Sequence, residues 1–453
     1  MIDTLLLKAM SEHTPTKDVS VHIDTVFELY RLAGKMVPPS EQARLLSFLC
    51  MRIEIAGRLF CAYGTDGKRV TDRLLDPHWN EVALTVLFAD FLQLCDVAGR
   101  EHLAFKRLNA MFKLMDSMAL QLGVSADLRE PIEIRAQRFL DQYSASATPE
   151  SVTQGGARTP SREQRTLPLT VLFWEGPIAR AYLATLKSMG YRPQKIIHLI
   201  SAVDLVSKKP VGRYLPAFLR QGYAQGRQKN SIHFWPSTLI RKEPALCEAV
   251  RLSVANTLGF SSEVLDNALS LTDLRTYCPN VEPLMVNSLA DDRLYNHLAA
   301  LPETTLLFTG GGIVPARYLQ LAPLKFIHVH PGYLPDVRGA DCVLWSQLIK
   351  GRTSASCFYM GQGIDDGDVI FPCYLPKVEV RFNSSAIPSK MLYRATYAFF
   401  DPWVRAYVLR EAINATNGFE NHKAFEQDES LSTTYHFMHE KIQKVSLDRI
   451  FIE

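Results

Sequence analysis

Thr304-Thr-Leu-Leu-Phe-Thr-Gly-Gly-Gly312 and Lys325-Phe-Ile-His-Val-His-Pro-Gly332 are the two stretches that decide the fold. Each is a short apolar run that stops abruptly at glycine or proline, a pattern typical of a buried strand. Two earlier runs, at 169–174 and 195–200, have the same character, and residues 178–187 between them show helical spacing. Buried strands that alternate with helices predict an α/β fold with a mostly parallel sheet, covered on both faces.

A polar segment, 144–168, is rich in Gly, Ser, Thr and Pro and divides the chain. It holds too little apolar surface to offset its ordering entropy, so we predict a flexible linker. Before it, apolar residues recur at three- and four-residue spacing, which predicts a separate α-helical domain over 1–143. After it we predict an α/β domain over 169–380, with an irregular segment at 207–280, and a helical carboxyl-terminal extension over 381–453.

The bulk composition excludes several classes of protein. The chain has 453 residues and a net charge of +3, which argues neither for nor against a nucleic-acid partner. Its eight cysteines are scattered without a Cys-x-x-Cys pair, as in proteins that keep their thiols reduced. No signal peptide is recognisable, and no apolar run approaches the roughly 20 residues of a membrane helix. We therefore expect a cytoplasmic protein without a membrane partner.

Candidate catalytic residues cluster where two of the predicted strands end. His328 and His330 are two residues apart on a strand, so both side chains point to the same side. Pro331-Gly332 stops that strand, and a glycine-flanked carboxylate loop, residues 361–368, follows further along the chain. Ligands of parallel sheets bind beyond the carboxyl ends of the strands, where Gly310–Gly312 and His330 are expected. The glycine run has neither a dinucleotide nor a phosphate-loop motif.

The residues alone leave more than one chemistry open. A His-x-His pair with an aspartate is also a partial zinc or iron site, which would indicate a metal-dependent hydrolase. The other histidines after the linker show no spacing that completes such a site, so we predict no metal. A non-catalytic binding module is a further alternative.

The segment from Phe326 to Ala340 resembles the active-site segment of the 10-formyltetrahydrofolate-dependent formyltransferases, which act on methionyl-tRNA, glycinamide ribonucleotide or amino sugars. The shared features are a His followed by Pro, then Leu334-Pro335, Arg338-Gly339 and a later Asp-x-Gly loop. The resemblance implies a Rossmann-like domain and an enzyme that transfers a formyl group, with 10-formyltetrahydrofolate as co-substrate. It implies that His330 is the catalytic histidine and Asp365 the catalytic aspartate.

The same resemblance implies the binding residues. Thr309 to Pro315 resembles the loop that holds the folate pterin through its backbone. Arg338 is a candidate for binding an anionic part of the substrate, with the capping of its own loop as the alternative. A formyl-folate hydrolase on the same scaffold, in which water replaces the amine, is the closest alternative. The predicted cofactor-binding residues are Gly311, Gly312, Ile313, Val314, Gly361 and Ile364.

His328 stands where the family carries asparagine. In the family that amide donates a hydrogen bond to the formyl oxygen, and such a donor can be worth roughly 3–4 kcal/mol. Histidine donates only from the correct tautomer or as imidazolium. We hypothesise that His328 supplies this donor, which predicts that His328→Asn keeps measurable transfer while His328→Ala loses most of it.

The resemblance leaves the acceptor open. The low net charge and the lack of a recognisable carboxyl-terminal barrel disfavour tRNA. We expect a small biosynthetic amine, an amino sugar or an amino-acid-like molecule. The helical domain is compatible with homodimerisation, with binding of a carrier protein, or with shaping of the acceptor site, and no motif selects among these roles.

Overall fold

The chain forms two compact units, Met1–Ser144 and Ala145–Glu453. The computed structural model describes residues 164–385, 387–420, 423–428 and 432–452 of the second unit. In the first unit it describes 99–119 and 126–143, with residues 84, 88, 91, 92, 94, 95 and 124. The linker residues 144–163, and the amino-terminal part of the predicted helical domain before residue 84, lie outside the described residues.

The described part of the first unit is helical. It contains α1 (Glu101–Ala119) and α2 (Ala126–Gln142). Apolar side chains at helical spacing are buried along α1, and aromatic rings join them to α2 and to the helical residues before α1. The Phe139 ring centroid lies 5.3 Å from that of Phe91 and 4.8 Å from that of Phe105. These side chains form the core of the unit, as their spacing indicates.

Among the described residues, the second unit carries all of the strands and most of the helices. Its strands are β1 (Arg165–Trp174), β2 (Tyr191–Ser201), β3 (Val281–Val286), β4 (Thr304–Phe308), β5 (Leu324–His330), β6 (Arg338–Gly339), β7 (Ser354–Tyr359), β8 (Val369–Tyr374), β9 (Val380–Arg381), β10 (Thr434–Tyr435) and β11 (Phe451–Ile452). Its α-helices are α3 (Pro177–Ser188), α4 (Ala217–Ile232), α5 (Phe234–Lys242), α6 (Pro244–Leu258), α7 (Ser262–Leu269), α8 (Asp292–Ala299), α9 (Ala316–Leu319), α10 (Cys342–Lys350), α11 (Ser389–Ala395), α12 (Asp401–Ala415) and α13 (Glu440–Ile450).

Seven strands form the central sheet in the order β3-β2-β1-β4-β5-β7-β8. The first five strands are parallel, while β7 and β8 run antiparallel to their neighbours. Helices pack on the sheet, with α3 against α12, and α12 also against β5, β7 and β8. The prediction of an α/β fold with a mostly parallel sheet is confirmed.

One core cluster lies on the sheet face toward which the side chains of His328 and His330 point. It joins alternate residues of β1, β2, β4 and β5 to α8 and α9, because alternate side chains of a strand share one face. Its buried members are Leu172, Ile197, Leu199, Val286, Leu294, Leu298, Leu306, Phe308, Val314, Tyr318, Leu324 and Phe326. On β5, Leu324 and Phe326 of this cluster are followed on the same face by His328 and His330. The polar site therefore borders this core directly.

Two features differ from the sequence prediction. Strand β1 starts at Arg165, inside the predicted linker, because Arg165 to Leu167 already pair with the start of β2. The segment 207–280, predicted to be irregular, contains helices α4 to α7. Pro216 stands at the N-cap of α4 and Pro244 in the first turn of α6, where proline is compatible with a helix start. Within 381–453, helix α12 is buried and packs against β5, β7 and β8.

A buried charge cluster holds the turn after β1. Glu175 accepts hydrogen bonds from Arg180 Nε (2.9 Å) and Nη2 (2.7 Å), and its Oε1 lies 3.0 Å from Nε2 of His233. Burial alone would raise the pKa of Glu175, but the bonds and charges of Arg180 and His233 lower it to about 2. The cluster joins the turn to His233, between α4 and α5, and thereby fixes the helical insertion to the sheet edge.

We expect Glu175→Ala to lower the free energy of unfolding of the α/β unit by about 3–5 kcal/mol, because Arg180 would be left buried without its counter-charge. Denaturant unfolding followed by tryptophan fluorescence measures the loss. Glu282→Ala, which removes a half-exposed partner of Lys195, is the matched control and should cost less than about 1 kcal/mol. Equal losses in the two variants would contradict the role of the buried cluster.

The contribution of Glu175 to the free energy of unfolding should also depend on pH. Its folded pKa lies below the ordinary value of 4.5, so the contribution is full above that value and is lost as the pH falls through about 2. Acid unfolding of Glu175→Ala should therefore be less steep than that of the wild-type chain over this range.

Candidate active site

Three loops meet at the carboxyl ends of β4 and β5. The loops after β4 and β5 leave the sheet side by side, since Leu307 pairs with Ile327 and so places Phe308 next to His328. The loop between β7 and β8 folds back over β5, and its Asp365 reaches His330. Asp365 has a left-handed backbone, with φ of 50°. The three candidate catalytic side chains are therefore close enough for their charges to influence one another.

His330 is held on both ring nitrogens. Nδ1 lies 3.2 Å from Asp365 Oδ1, and Nε2 lies 3.0 Å from the carbonyl oxygen of Val337. Both partners are oxygen acceptors, so both ring nitrogens of His330 are engaged within the protein. A Cβ at position 332 would overlap the Val337 oxygen and lie 2.7 Å from Nε2, which explains why glycine follows Pro331.

Asp365 is a carboxylate at neutral pH. Burial acts to raise its pKa, but the charge and hydrogen bond of His330, together with the backbone N–H of Gly339, lower it to about 2. The Gly339 N–H donates to Asp365 Oδ2 over 2.9 Å. Gly339 has φ of 101°, and a Cβ there would overlap the carbonyl oxygen of Tyr435. The close approach of these two backbone segments therefore requires glycine at position 339.

His328 is fixed at one nitrogen only. Its Nδ1 lies 3.1 Å from the carbonyl oxygen of Phe308, so Nδ1 carries the proton and donates it. Burial, with a smaller effect of the nearby Arg405, lowers the pKa of His328 to about 4. The ring is therefore neutral near pH 7, and its Nε2 has a lone pair and no proton. The Nδ1 atom is thus engaged within the protein, and the role of His328 as the donor to the formyl oxygen stays a prediction.

A pair on α12 supports the end of β5, and sequence reasoning missed it. Arg405 donates through Nη1 to the carbonyl oxygen of Val329 over 3.0 Å, between the two histidines. The carboxylate of Asp401 fixes the guanidinium from the neighbouring turn, 3.0 Å from Nε. The i, i+4 spacing of the two residues was the available signal, but it did not show that the pair is turned inward.

Asp341 is a second residue that sequence reasoning missed. Its Oδ1 accepts the hydroxyls of Tyr393 (2.8 Å) and Tyr397 (2.7 Å), and its Oδ2 accepts the backbone N–H of Met438 (2.7 Å). These bonds tie the loop after β5 to the π-helix Thr396–Phe400 region and to the carboxyl-terminal segment. No local pattern around Asp341 indicates these distant partners.

The structure does not place Arg338 as an exposed anion-binding residue. Its side chain is only 5% exposed, and Nε and Nη2 donate to Gln427 Oε1 over 3.2 and 2.8 Å. The amide of Gln427 in turn donates to the carbonyl oxygens of Asp365 and Gly367. Arg338 and Gln427 together brace the loop that carries the candidate catalytic carboxylate, and the predicted substrate contact is not available in this arrangement.

The predicted folate-binding residues divide into two groups. Gly311, Gly312, Ile313 (77% exposed) and Ile364 (55% exposed) lie open at the surface, with no neighbouring atom within 4 Å of a Cβ built on either glycine. Val314 is 5% exposed and belongs to the core cluster, where it anchors the loop. Gly361 uses its backbone N–H within its own loop, where it donates to Asp366.

Comparison with known proteins relates the chain to formyltransferases. It is 39% identical to the methionyl-tRNA formyltransferase of Syntrophus aciditrophicus (strain SB) over 71 residues, 15% of this chain and 22% of that protein. It is 27% identical to the methionyl-tRNA formyltransferase of Alkaliphilus oremlandii (strain OhILAs) over 179 residues, 38% of this chain and 53% of that protein. Over these stretches the chain is similar to formyltransferases, as a divergent relative.

The extent of the relationship is limited. The chain spans about a fifth to a half of the length of the two methionyl-tRNA formyltransferases cited above. No protein-family profile matches it. A sugar N-formyltransferase from Shewanella sp FDAARGOS_354 is 11% identical, with coverage of 62% of this chain and 87% of that chain, at a TM-score of 0.33. That similarity is too low to add to the sequence relationship.

Among the described residues, no group of three or more His, Cys, Asp or Glu side chains is arranged to hold a metal ion. Both nitrogens of His330 contact oxygen acceptors instead. In the part of the chain that the structure describes, no helix is long and apolar enough to cross a membrane.

The bracing role of Arg338 is testable without a substrate. We expect Arg338→Met to lower the free energy of unfolding by about 1.5–3 kcal/mol, because the buried amide of Gln427 loses a charged donor. Denaturant unfolding provides the measurement, and Arg317→Met, which removes an exposed pair with Asp292, is the control. Unchanged stability with a raised KM for an anionic acceptor would instead restore the predicted substrate contact.

Proposed function

We propose that this protein transfers a formyl group from 10-formyltetrahydrofolate to an amine. The observation that carries the proposal is the His330–Asp365 pair, with an Nδ1–Oδ1 distance of 3.2 Å, at the carboxyl ends of two adjacent strands. Proton transfer near neutral pH and an open loop for a flat co-substrate are what such a reaction requires. The family relationship supports the same reaction class.

The open part of the β4–β5 loop, together with Ile364 of the β7–β8 loop, fits the folate group. The exposed backbone of Gly311 and Gly312 offers hydrogen-bonding groups, and the side chains of Ile313 and Ile364 offer apolar surface. A flat heterocycle needs both kinds of contact. When bound, 10-formyltetrahydrofolate supplies the formyl group, and these four residues would hold its pterin.

The acceptor is proposed to be a small amine carried on an anionic group. Residues 203–242 contain eight Lys and Arg residues and one Asp, a concentration that the net charge of +3 conceals. The segment starts where β2 ends, at the same sheet edge as the candidate active site. Exposed aromatic side chains accompany the charges: Tyr214, Phe218, Tyr223, Phe234 and Trp235. A nucleotide-linked amino sugar fits this surface through its phosphates and base.

A tRNA-linked amine is a second candidate, and the same basic segment favours it. Phosphate contacts by Lys and Arg dominate nucleic-acid affinity, and exposed aromatic rings stack on unpaired bases. The low net charge of the whole chain, taken from the sequence as an argument against tRNA, does not apply to this segment. Cytoplasmic location and homodimerisation through the helical unit stay predictions from the sequence.

Incubation of the purified chain with 10-formyltetrahydrofolate and a panel of amines tests the proposed reaction. The panel includes free amino sugars, nucleotide-linked amino sugars, amino acids and aminoacyl-tRNA, and the readout is tetrahydrofolate release together with the mass of the acceptor. Asp365→Asn should reduce the rate by a factor of about 100 or more, since general acid–base chemistry contributes on this scale. Formate release without any amine would instead identify a formyl-folate hydrolase.

Salt dependence separates an anionic acceptor from a neutral one. If residues 203–242 hold phosphates, KM for the acceptor should rise steeply with salt while KM for the folate changes little. Replacement of Lys208 and Lys209 by Glu should raise the acceptor KM about tenfold or more and flatten its salt dependence. A salt-independent KM for every accepted amine would exclude the anionic acceptor.

A further inference from the structure

One residue joins the two helices of the proposed acceptor surface. Helix α4 ends at Ile232 and α5 begins at Phe234, so His233 is the C-cap of the first helix and the N-cap of the second. The backbone of His233 therefore sets the direction in which α5 leaves. Phe234 and Trp235, which are 55% and 40% exposed, follow it directly. They are two of the aromatic side chains proposed to contact the acceptor, so their place depends on the residue before them.

The side chain of His233 is turned away from this surface and into the turn after β1. It is buried, and its Nε2 lies 3.0 Å from Glu175 Oε1. Because a carboxylate only accepts, the Nε2–H of His233 is the donor. Two hydrogen bonds from Arg180 hold the same carboxylate, and the N–H of Gly176 donates to Oε1 over 3.1 Å. A buried carboxylate among several donors has little freedom to move, so His233 is fixed to a rigid point.

The same turn is bonded to the start of the predicted folate loop, residues 309–315. The backbone N–H of Trp174 donates to Thr309 Oγ1 over 2.9 Å. The N–H of Thr309 donates to the carbonyl oxygen of Leu172 over 3.3 Å. The loop proposed to hold the folate and the helix proposed to contact the acceptor are therefore both attached to residues 174–176.

We propose that His233 is a positioning residue of formyl transfer, which sets the acceptor surface at the distance from the folate loop that the reaction requires. This inference rests on the proposed function. A misplacement of about 1 Å between reacting groups can cost a factor of about 100 in rate, so two binding elements gain from a common fixed point. The contact of His233 with Glu175 provides that point. His233 itself acts only through α5 and touches neither substrate.

Replacement of His233 by two different amides tests the contact. In His233→Gln the amide nitrogen can take the place of Nε2 and donate to Glu175, whereas the shorter side chain of His233→Asn does not reach the carboxylate. His233→Asn should lower kcat/KM for the acceptor by about tenfold or more, with little change in KM for 10-formyltetrahydrofolate. His233→Gln should stay within a factor of about three of the wild type, since it keeps the hydrogen bond.

A histidine outside this contact provides the control. His297→Asn, on α8, removes a partner of Glu282, whose contact with His297 Nδ1 is 3.6 Å long. It should leave both constants unchanged.

A measurement without substrates shows whether the contact holds α5. Hydrogen exchange of the full-length chain reports how often the backbone amides of this helix open. In His233→Asn the amides of α5 should exchange about tenfold faster, while those of β1 and β4 keep their wild-type rates. In His233→Gln all of these amides should exchange as in the wild type.

The outcomes distinguish failure of this inference from failure of the proposed function. Unchanged exchange of α5 in His233→Asn, or equal losses of kcat/KM in the two amide variants, overturns the role of His233 even if the wild-type chain transfers formyl groups. A parallel rise of both KM values in His233→Asn indicates a general loss of structure and overturns it as well. Absence of tetrahydrofolate release with every acceptor overturns the proposed function, and with it this inference.

Discussion

The carboxylate of Asp365 is the group on which the candidate active site depends. It comes from the β7–β8 loop and accepts from His330 at the end of β5 and from the backbone of Gly339 in the loop beyond. Three chain segments that are distant in sequence are joined at this one charge. A buried carboxylate is costly unless such donors surround it, and these donors bring its pKa to about 2. The need for hydrogen-bond donors around this buried carboxylate explains why His330 and the Gly339 backbone lie against it.

The supporting contacts extend outward from this carboxylate. Gln427 holds the backbone of the Asp365 loop and is itself held by Arg338. On the other side, Arg405 fixes the carbonyl between the two histidines. Arg338, for which the sequence allowed either a substrate contact or the capping of its own loop, holds the loop here. The reason is physical, because loops that carry reacting groups need their polar backbone atoms satisfied when buried.

The sequence predicted the parts of the fold that local patterns encode. Apolar runs such as Thr304 to Phe308 identified strands, and the stop at Pro331-Gly332 located the end of β5. The helices of 207–280 were not predicted, although Pro216 and Pro244 stand at helix starts in the structure. The partners of Asp341 were beyond prediction, since they are separated from it by dozens of residues.

The same distinction explains why the sequence could not show which nitrogen of His328 carries the proton. Its identity and spacing place it beside His330, but the tautomer depends on which nitrogen faces a carbonyl. That carbonyl belongs to Phe308, on the neighbouring strand, and its register with β5 is a tertiary property. An asparagine at this position has both a donor and an acceptor whichever way it is turned. A neutral histidine commits its one proton to Phe308 and leaves the second nitrogen basic. The exchange of asparagine for histidine therefore changes the kind of chemistry that position 328 offers, even though both residues are polar.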